Sequence, residues 1–170
     1  MSSNYTNEKI ETLKHTMDRY DHYYDSINNK GNLILALNIF LLSGIITGYY
    51  SIKGEVVCGF GILFFMWSGL LFCLLSIACS LWATLPYLSK QSDRINGSVI
   101  YFGSVANLSF QRFNQKYSEM TDENRYEDYL QQVHLLAIGL QKKFRRIQIA
   151  TYLLGGCFFC ITIIGLIILK

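Results

Sequence analysis

The sequence predicts an all-α integral membrane protein with three transmembrane helices, and three observations carry that prediction. First, charges are absent from three long stretches: 22 residues between Lys30 and Lys53, 34 between Glu55 and Lys90, and 23 between Arg146 and Lys170. A helix of about 20 apolar residues crosses the roughly 30 Å hydrocarbon core of a bilayer, so each stretch is long enough to span. Second, hydrophobic residues make up 51% of the chain and charged ones only 16%, and buried helices of water-soluble proteins are rarely free of charge for this long. Third, the chain has one proline in 170 residues, so little interrupts a helix.

Residues 5–30 read as a helix. Ile10, Leu13, Met17, Tyr20, Tyr24 and Ile27 recur in steps of three and four, which is a heptad seam. Asp18, Asp21 and Asp25 lie beside it on a wetter face. Apart from Gly31 nothing breaks the chain before the first apolar run, so residues 1–30 form a long cytoplasmic helix continuous with span one. The polar stretch ahead of that run does not fit a signal peptide.

Span one covers about residues 32–52 and holds Gly44-x-x-x-Gly48, a spacing that lets two helices approach closely. Asn38 places an amide in the membrane, where it needs a partner from a neighbouring helix, another subunit or water. A turn at Lys53-Gly54-Glu55 reverses the chain, and span two starts near Val56. A helix from there to Leu85 would reach roughly 45 Å, so it tilts or projects from the bilayer. Pro86 ends or kinks it. Ser76, Ser80 and Thr84 recur at i, i+4 and i+8, a weakly polar stripe that either lines a water-filled path or packs against a neighbouring helix. Residues 31–88 thus form a transmembrane hairpin.

Residues 89–146 form a cytoplasmic helical region, with Asn96-Gly97 as a turn signal. Ile100-Tyr101-Phe102-Gly103 is an apolar island too short to span, and residues 104–119 suit a short amphipathic helix or a cap on the membrane surface. From Asp122 the seam returns through Tyr126, Leu130, Val133, Ala137, Leu140, Phe144 and Ile147, and it runs into the third span at 147–170. Lys142, Lys143, Arg145 and Arg146 mark the entrance to that span. Thirteen of the fifteen cations fall in the N-terminal segment and the 89–146 region. Because Lys and Arg gather on the inner side, that side and the N-terminus are cytoplasmic.

The pattern argues against several classes. No Asp, Glu, Lys or Arg sits inside a run, and ion-coupled transporters and proton relays need one. His15, His22 and His134 lack ligand spacing, and no catalytic constellation is present, so neither a cofactor, a metal nor an enzyme is expected. Cys157-x-x-Cys160 stands without a second pair, and all five cysteines lie in the apolar runs, as small packing residues do.

A family resemblance emerges from the ordered motifs: Asp21-x-Tyr23 and Lys30-x-Asn32 at the entry to span one, Asn38 within it, Leu85-Pro86 closing span two, then Ile100-Tyr101-Phe102-Gly103-Ser104-Val105-Ala106, Tyr129-Leu130-x-Gln132-Val133-x-x-Leu136-Ala137, and Lys142-Lys143-Phe144-Arg145-Arg146-x-x-x-Ala150. Across nearly the whole chain this resembles the membrane effector family of Pycsar-type bacterial antiphage systems. The resemblance implies a multi-pass effector in the bacterial inner membrane. A partner nucleotidyltransferase or cyclase makes a nucleotide signal, and the effector impairs the membrane so that growth stops. Some members carry a cyclic-nucleotide-binding β-roll, and no segment here resembles one, so a ligand would meet the helical cytoplasmic part. Arg112, Lys116, Lys142, Lys143, Arg145 and Arg146 are then the candidate phosphate contacts for a cyclic nucleotide or an oligonucleotide, the latter gaining more from a ring of symmetric copies. Tyr101 and Phe102 either stack on a base or pack at the membrane surface. The reading is a homo-oligomeric ion channel, a tetramer favoured, lined by Asn38, Ser76, Ser80 and Thr84. The alternatives are a membrane-disrupting effector without a channel and a non-conducting scaffold that recruits a cytosolic partner.

Overall fold

The computed structural model describes residues 2–52, 59–85 and 98–169. They form five helices: α1 (Ser2–Ile52), α2 (Phe60–Thr84), α3 (Phe102–Val105), α4 (Phe110–Ser118) and α5 (Asp122–Ile168), with no strand among the described residues. Three of them, α1, α2 and α5, are long and apolar enough to cross a membrane. Both α1 and α5 run unbroken from a polar half into an apolar half, as expected.

The expected start of span two near Val56, the Lys53-Gly54-Glu55 turn, Pro86 and the Asn96-Gly97 turn lie outside the described residues. Within them α2 begins at Phe60, after an extended Gly59 (φ −60°, ψ 149°). Its 25 residues give about 37 Å, shorter than the length read from the uncharged run. Leu85 ends the helix in an extended conformation (ψ 141°), the conformation a residue before proline is pushed into.

Residues divide into two compact units, the first within 1–24 and 86–141, the second within 25–85 and 142–170. In the first, Ile10 is buried and Leu13, Met17, Tyr20 and Tyr24 are half-buried along the expected seam. The Tyr24 hydroxyl donates to the Leu136 carbonyl at 3.0 Å. Lys9 lies over the rings of Tyr5 (4.2 Å) and Tyr126 (5.6 Å). The segment 104–119, expected to suit a short amphipathic helix or a cap on the membrane surface, holds the end of one helix and the whole of another. A four-residue α3 ends at Val105, and α4 starts after Ser109, whose hydroxyl accepts from the Arg112 N–H. Thr121 caps α5 by accepting from the Asn124 N–H at 3.2 Å, and Asp122 and Glu123 in the first turn suit the helix dipole.

In the second unit all three long helices share one periodicity. Ile27, Gly31, Ile34 and Asn38 are buried on α1; Ile62, Gly69, Cys73, Ser76, Ser80 and Ala83 on α2; Lys143, Ile147, Ala150, Leu154, Cys157 and Cys160 on α5. Steps of three and four over several turns are the mark of left-handed supercoiled packing. Small residues permit the approach. A Cβ on Gly31 would stand 2.9 Å from the Thr84 methyl, and one on Gly69 would stand 3.3 Å from Cys160 Cβ. Gly44 and Gly48 behave differently: nothing lies within 4 Å of a Cβ at either, so their spacing makes no helix contact inside the protomer.

The seam read on α5 needs correction. Leu130 and Phe144 are exposed, at 46% and 43%. Leu140 and Ile147 are buried as expected, and so are the polar side chains of Asp128, Gln132 and Lys143. Polar side chains occupy the inner face because each finds a hydrogen bond there, which a search for apolar residues passes over.

Candidate functional site in the helical bundle

Four residues were expected to line a path: Asn38, Ser76, Ser80 and Thr84. The structure buries the first three inside the protomer's own bundle, at 0%, 0% and 1% exposure. Asn38 occupies a seam position of α1, so its side chain points at the other two helices. Its amide Nδ2 donates to the Ile34 carbonyl at 2.9 Å and to the Ser76 hydroxyl at 2.8 Å. Ser76 in turn donates to the Ala150 carbonyl at 2.8 Å. The Cys73 thiol donates to the Asn38 carbonyl at 3.1 Å. The amide and the serine hydroxyl together therefore link α1, α2 and α5 at one level. This is the structural hydrogen bond that the amide's presence in a span implied.

The cluster is not saturated. Asn38 Oδ1 and Ser80 Oγ are buried and have no hydrogen-bond partner among the described residues. Each carries acceptor capacity that water would fill if it entered. Thr84 stands apart, half-exposed, with its hydroxyl donating to the Leu81 carbonyl at 2.9 Å. The heptad step carries the buried stripe from Ser80 to Ala83 instead.

The basic entrance splits into two kinds of side chain. Lys143 is 4% exposed, and its ammonium donates to Asn28 Oδ1 at 3.2 Å. Burial pushes its pKa below the usual lysine value, and the positive charge of Arg146 acts in the same direction. Arg146 donates to the Trp82 carbonyl at 3.1 Å and stacks over the Trp82 ring at 4.4 Å. These two cations hold the ends of the spans. Lys142 and Arg145 are exposed. In the first unit, Arg112 and Lys116 are exposed one turn apart on α4. Tyr101 is half-exposed and Phe102 is 66% exposed, their rings 5.0 Å apart.

A second polar cluster, missed in the sequence, organises the first unit. Ser98 Oγ accepts from the backbone N–H groups of Ile100 (3.2 Å) and Tyr101 (2.9 Å) and from Gln132 Nε2 (3.4 Å). Asp128 accepts from the Val99 N–H at 3.1 Å. Asp128 and Gln132 lie four apart on α5, and that spacing of polar residues on an otherwise apolar face was the available signal. Asn28, one residue past the seam position Ile27, gave none. No group of three or more His, Cys, Asp or Glu suited to a metal occurs among the described residues.

No curated relative and no solved structure matches the chain. The Pycsar effector protein domain matches it over residues 12–170, which takes in most of α1 and all of the other helices. With three helices able to span a bilayer, the chain belongs to the Pycsar effector family and is a multi-pass membrane effector of antiphage defence.

Proposed function

We propose that this effector is a nucleotide-gated, homo-oligomeric ion channel of the bacterial inner membrane, a tetramer, with its N-terminus in the cytoplasm. Opening depolarises the membrane and arrests growth. Its action is physical rather than enzymatic. The observation that carries the reading is the polar cluster at Asn38, Ser76 and Ser80, buried in otherwise apolar spans yet short of partners at two oxygens. In the closed state the Asn38 amide and the Ser76 hydroxyl hold one another. When the seam parts, the same groups face water and hydrate a path. The unpartnered Asn38 Oδ1 and Ser80 Oγ gain hydrogen bonds at that moment, which favours the open state. Thr84 extends the lining at the inner end.

The continuity of α1 and α5 supports the gating. Each helix runs from the polar part into a span without interruption, so a ligand that shifts the polar end moves the seam. Such a ligand must bind the two states with different affinity. It is a cyclic nucleotide or oligonucleotide made by a partner nucleotidyltransferase or cyclase. Lys142 and Arg145, solvent-facing at the entrance, and Arg112 and Lys116 on α4 are two separate sets of candidate phosphate contacts. Lys143 and Arg146 hold the spans that such binding would move.

Planar-bilayer recording tests this, with purified protein and a panel of cyclic mononucleotides and short cyclic oligonucleotides. Discrete conductance steps on addition of one of them are expected. Leak without steps would favour disruption of the bilayer, and silence would favour a scaffold. Charge reversal of Lys142 and Arg145 to Glu, and separately of Arg112 and Lys116, identifies the responding set: response falls while membrane insertion is kept.

A further inference from the structure

We infer that a groove in the bundle, distinct from the polar cluster, is a binding site for one phospholipid acyl chain. The groove is lined from all three spans and holds about 370 Å³. On α1 its wall runs from Phe40 to Tyr49, on α2 it includes Met66, and on α5 it includes Ile164 and Gly165. Three glycines make the space: a Cβ on Gly44, Gly48 or Gly165 would meet nothing within 4 Å. Phe40, Gly44 and Gly48 are exposed, so the groove opens on the outer surface of the spans.

The occupant follows from chemistry and length. Water needs two to four polar partners, and the lining is apolar apart from the Tyr49 hydroxyl and the backbone. An empty state is equally ill suited, since the volume is more than twice the roughly 150 Å³ of an engineered apolar cavity that stays dry. The medium around a span is hydrocarbon. The rise from Phe40 to Tyr49 is about 13 Å, close to half of the ~30 Å hydrocarbon core. That is the depth of a single leaflet, which one acyl chain fills. Tyr49 and Tyr50 at the end of α1 mark the level of the headgroups, where such rings concentrate.

The test uses full-length protein in vesicles of phosphatidylethanolamine and phosphatidylglycerol containing a phospholipid with a mid-chain photoreactive group. Labelling is expected to concentrate on Met66 and Ile164, above an open lipid-facing position such as Leu74. It should saturate under competition by excess oleic acid. Filling the groove with Gly44→Leu and Gly48→Leu, or from the other helix with Gly165→Leu, should bring labelling down to the Leu74 level. Even, non-saturating labelling in the unsubstituted protein would mean bulk lipid only and overturn the site. Quantitative disulfide formation between Gly48→Cys protomers in the membrane would place a second copy in the groove and overturn it as well.

Discussion

Asn38 Nδ2 stands 2.8 Å from Ser76 Oγ, and that hydroxyl stands 2.8 Å from the Ala150 carbonyl, so the amide and the serine hydroxyl together link three helices. A single polar residue at a seam position fixes register in coiled coils at a cost in stability. In a bilayer such hydrogen bonds are worth about 0.6 kcal/mol on average. The cluster therefore contributes alignment more than strength.

Asn38→Leu should accordingly leave the protein folded, changing stability by about 1 kcal/mol or less, because it removes an unpartnered oxygen along with the bond. Nucleotide-evoked conductance should fall sharply, since the path loses its most polar group. Thermal unfolding in detergent reads the first effect and bilayer recording the second. Full conductance in the folded variant would refute the role given to Asn38.

At Gly31 the α1 backbone packs close against side chains of α2 and α5. A Cβ there would lie 2.9 Å from Thr84 Cγ2 and 3.2 Å from Ile147 Cδ1. Gly31→Leu should cost about 1–3 kcal/mol by overpacking. Gly31→Ala should cost less, and adding Thr84→Ser, which removes the nearer methyl, should recover most of that loss. A double-mutant cycle from thermal melts measures the coupling.

Lys143 makes stability depend on alkaline pH. Its folded-state pKa is lowered by burial and by Arg146, so between that value and the unfolded value of 10.5 the unfolded chain binds more protons. Stability should therefore rise with pH through that window, and the penalty of the buried charge is fully present below it. Lys143→Met should flatten the dependence. Melting temperatures from neutral pH to about pH 10 test the slope, and an unchanged slope in the variant would assign it to another group.

Arg146 closes the end of α2 through the Trp82 carbonyl and ring. Arg146→Ala should cost about 1–2 kcal/mol, and Arg146→Lys should recover only part, because an ammonium cannot stack as a guanidinium does. Trp82 emission, followed in a Trp67→Phe background, should shift in both variants.

Much of this architecture was legible because the bilayer is a harsh solvent. Charge-free runs longer than 20 residues admit few other readings, and the seam of α1 is visible from Ile10 onward. The same logic failed where local hydrogen bonding decides. Lys143 replaces Phe144 on the inner face because Asn28 meets its ammonium, and Asp128 and Gln132 displace Leu130 because Ser98 and Val99 meet them. The Ser76 hydroxyl that meets Asn38 lies 38 positions further along, and the Ala150 carbonyl that Ser76 meets lies 74 beyond that, which only the packed helices reveal.

The sealed thiols of the bundle offer a clock for its motions. Cys73 and Cys157 are inaccessible and Cys160 nearly so, whereas Cys79 is half-buried. In a Cys58→Ser background, a membrane-permeant maleimide would find Cys79 in the resting protein and the other three only when the helices separate. The rate of their modification counts opening events directly, without any conductance being recorded.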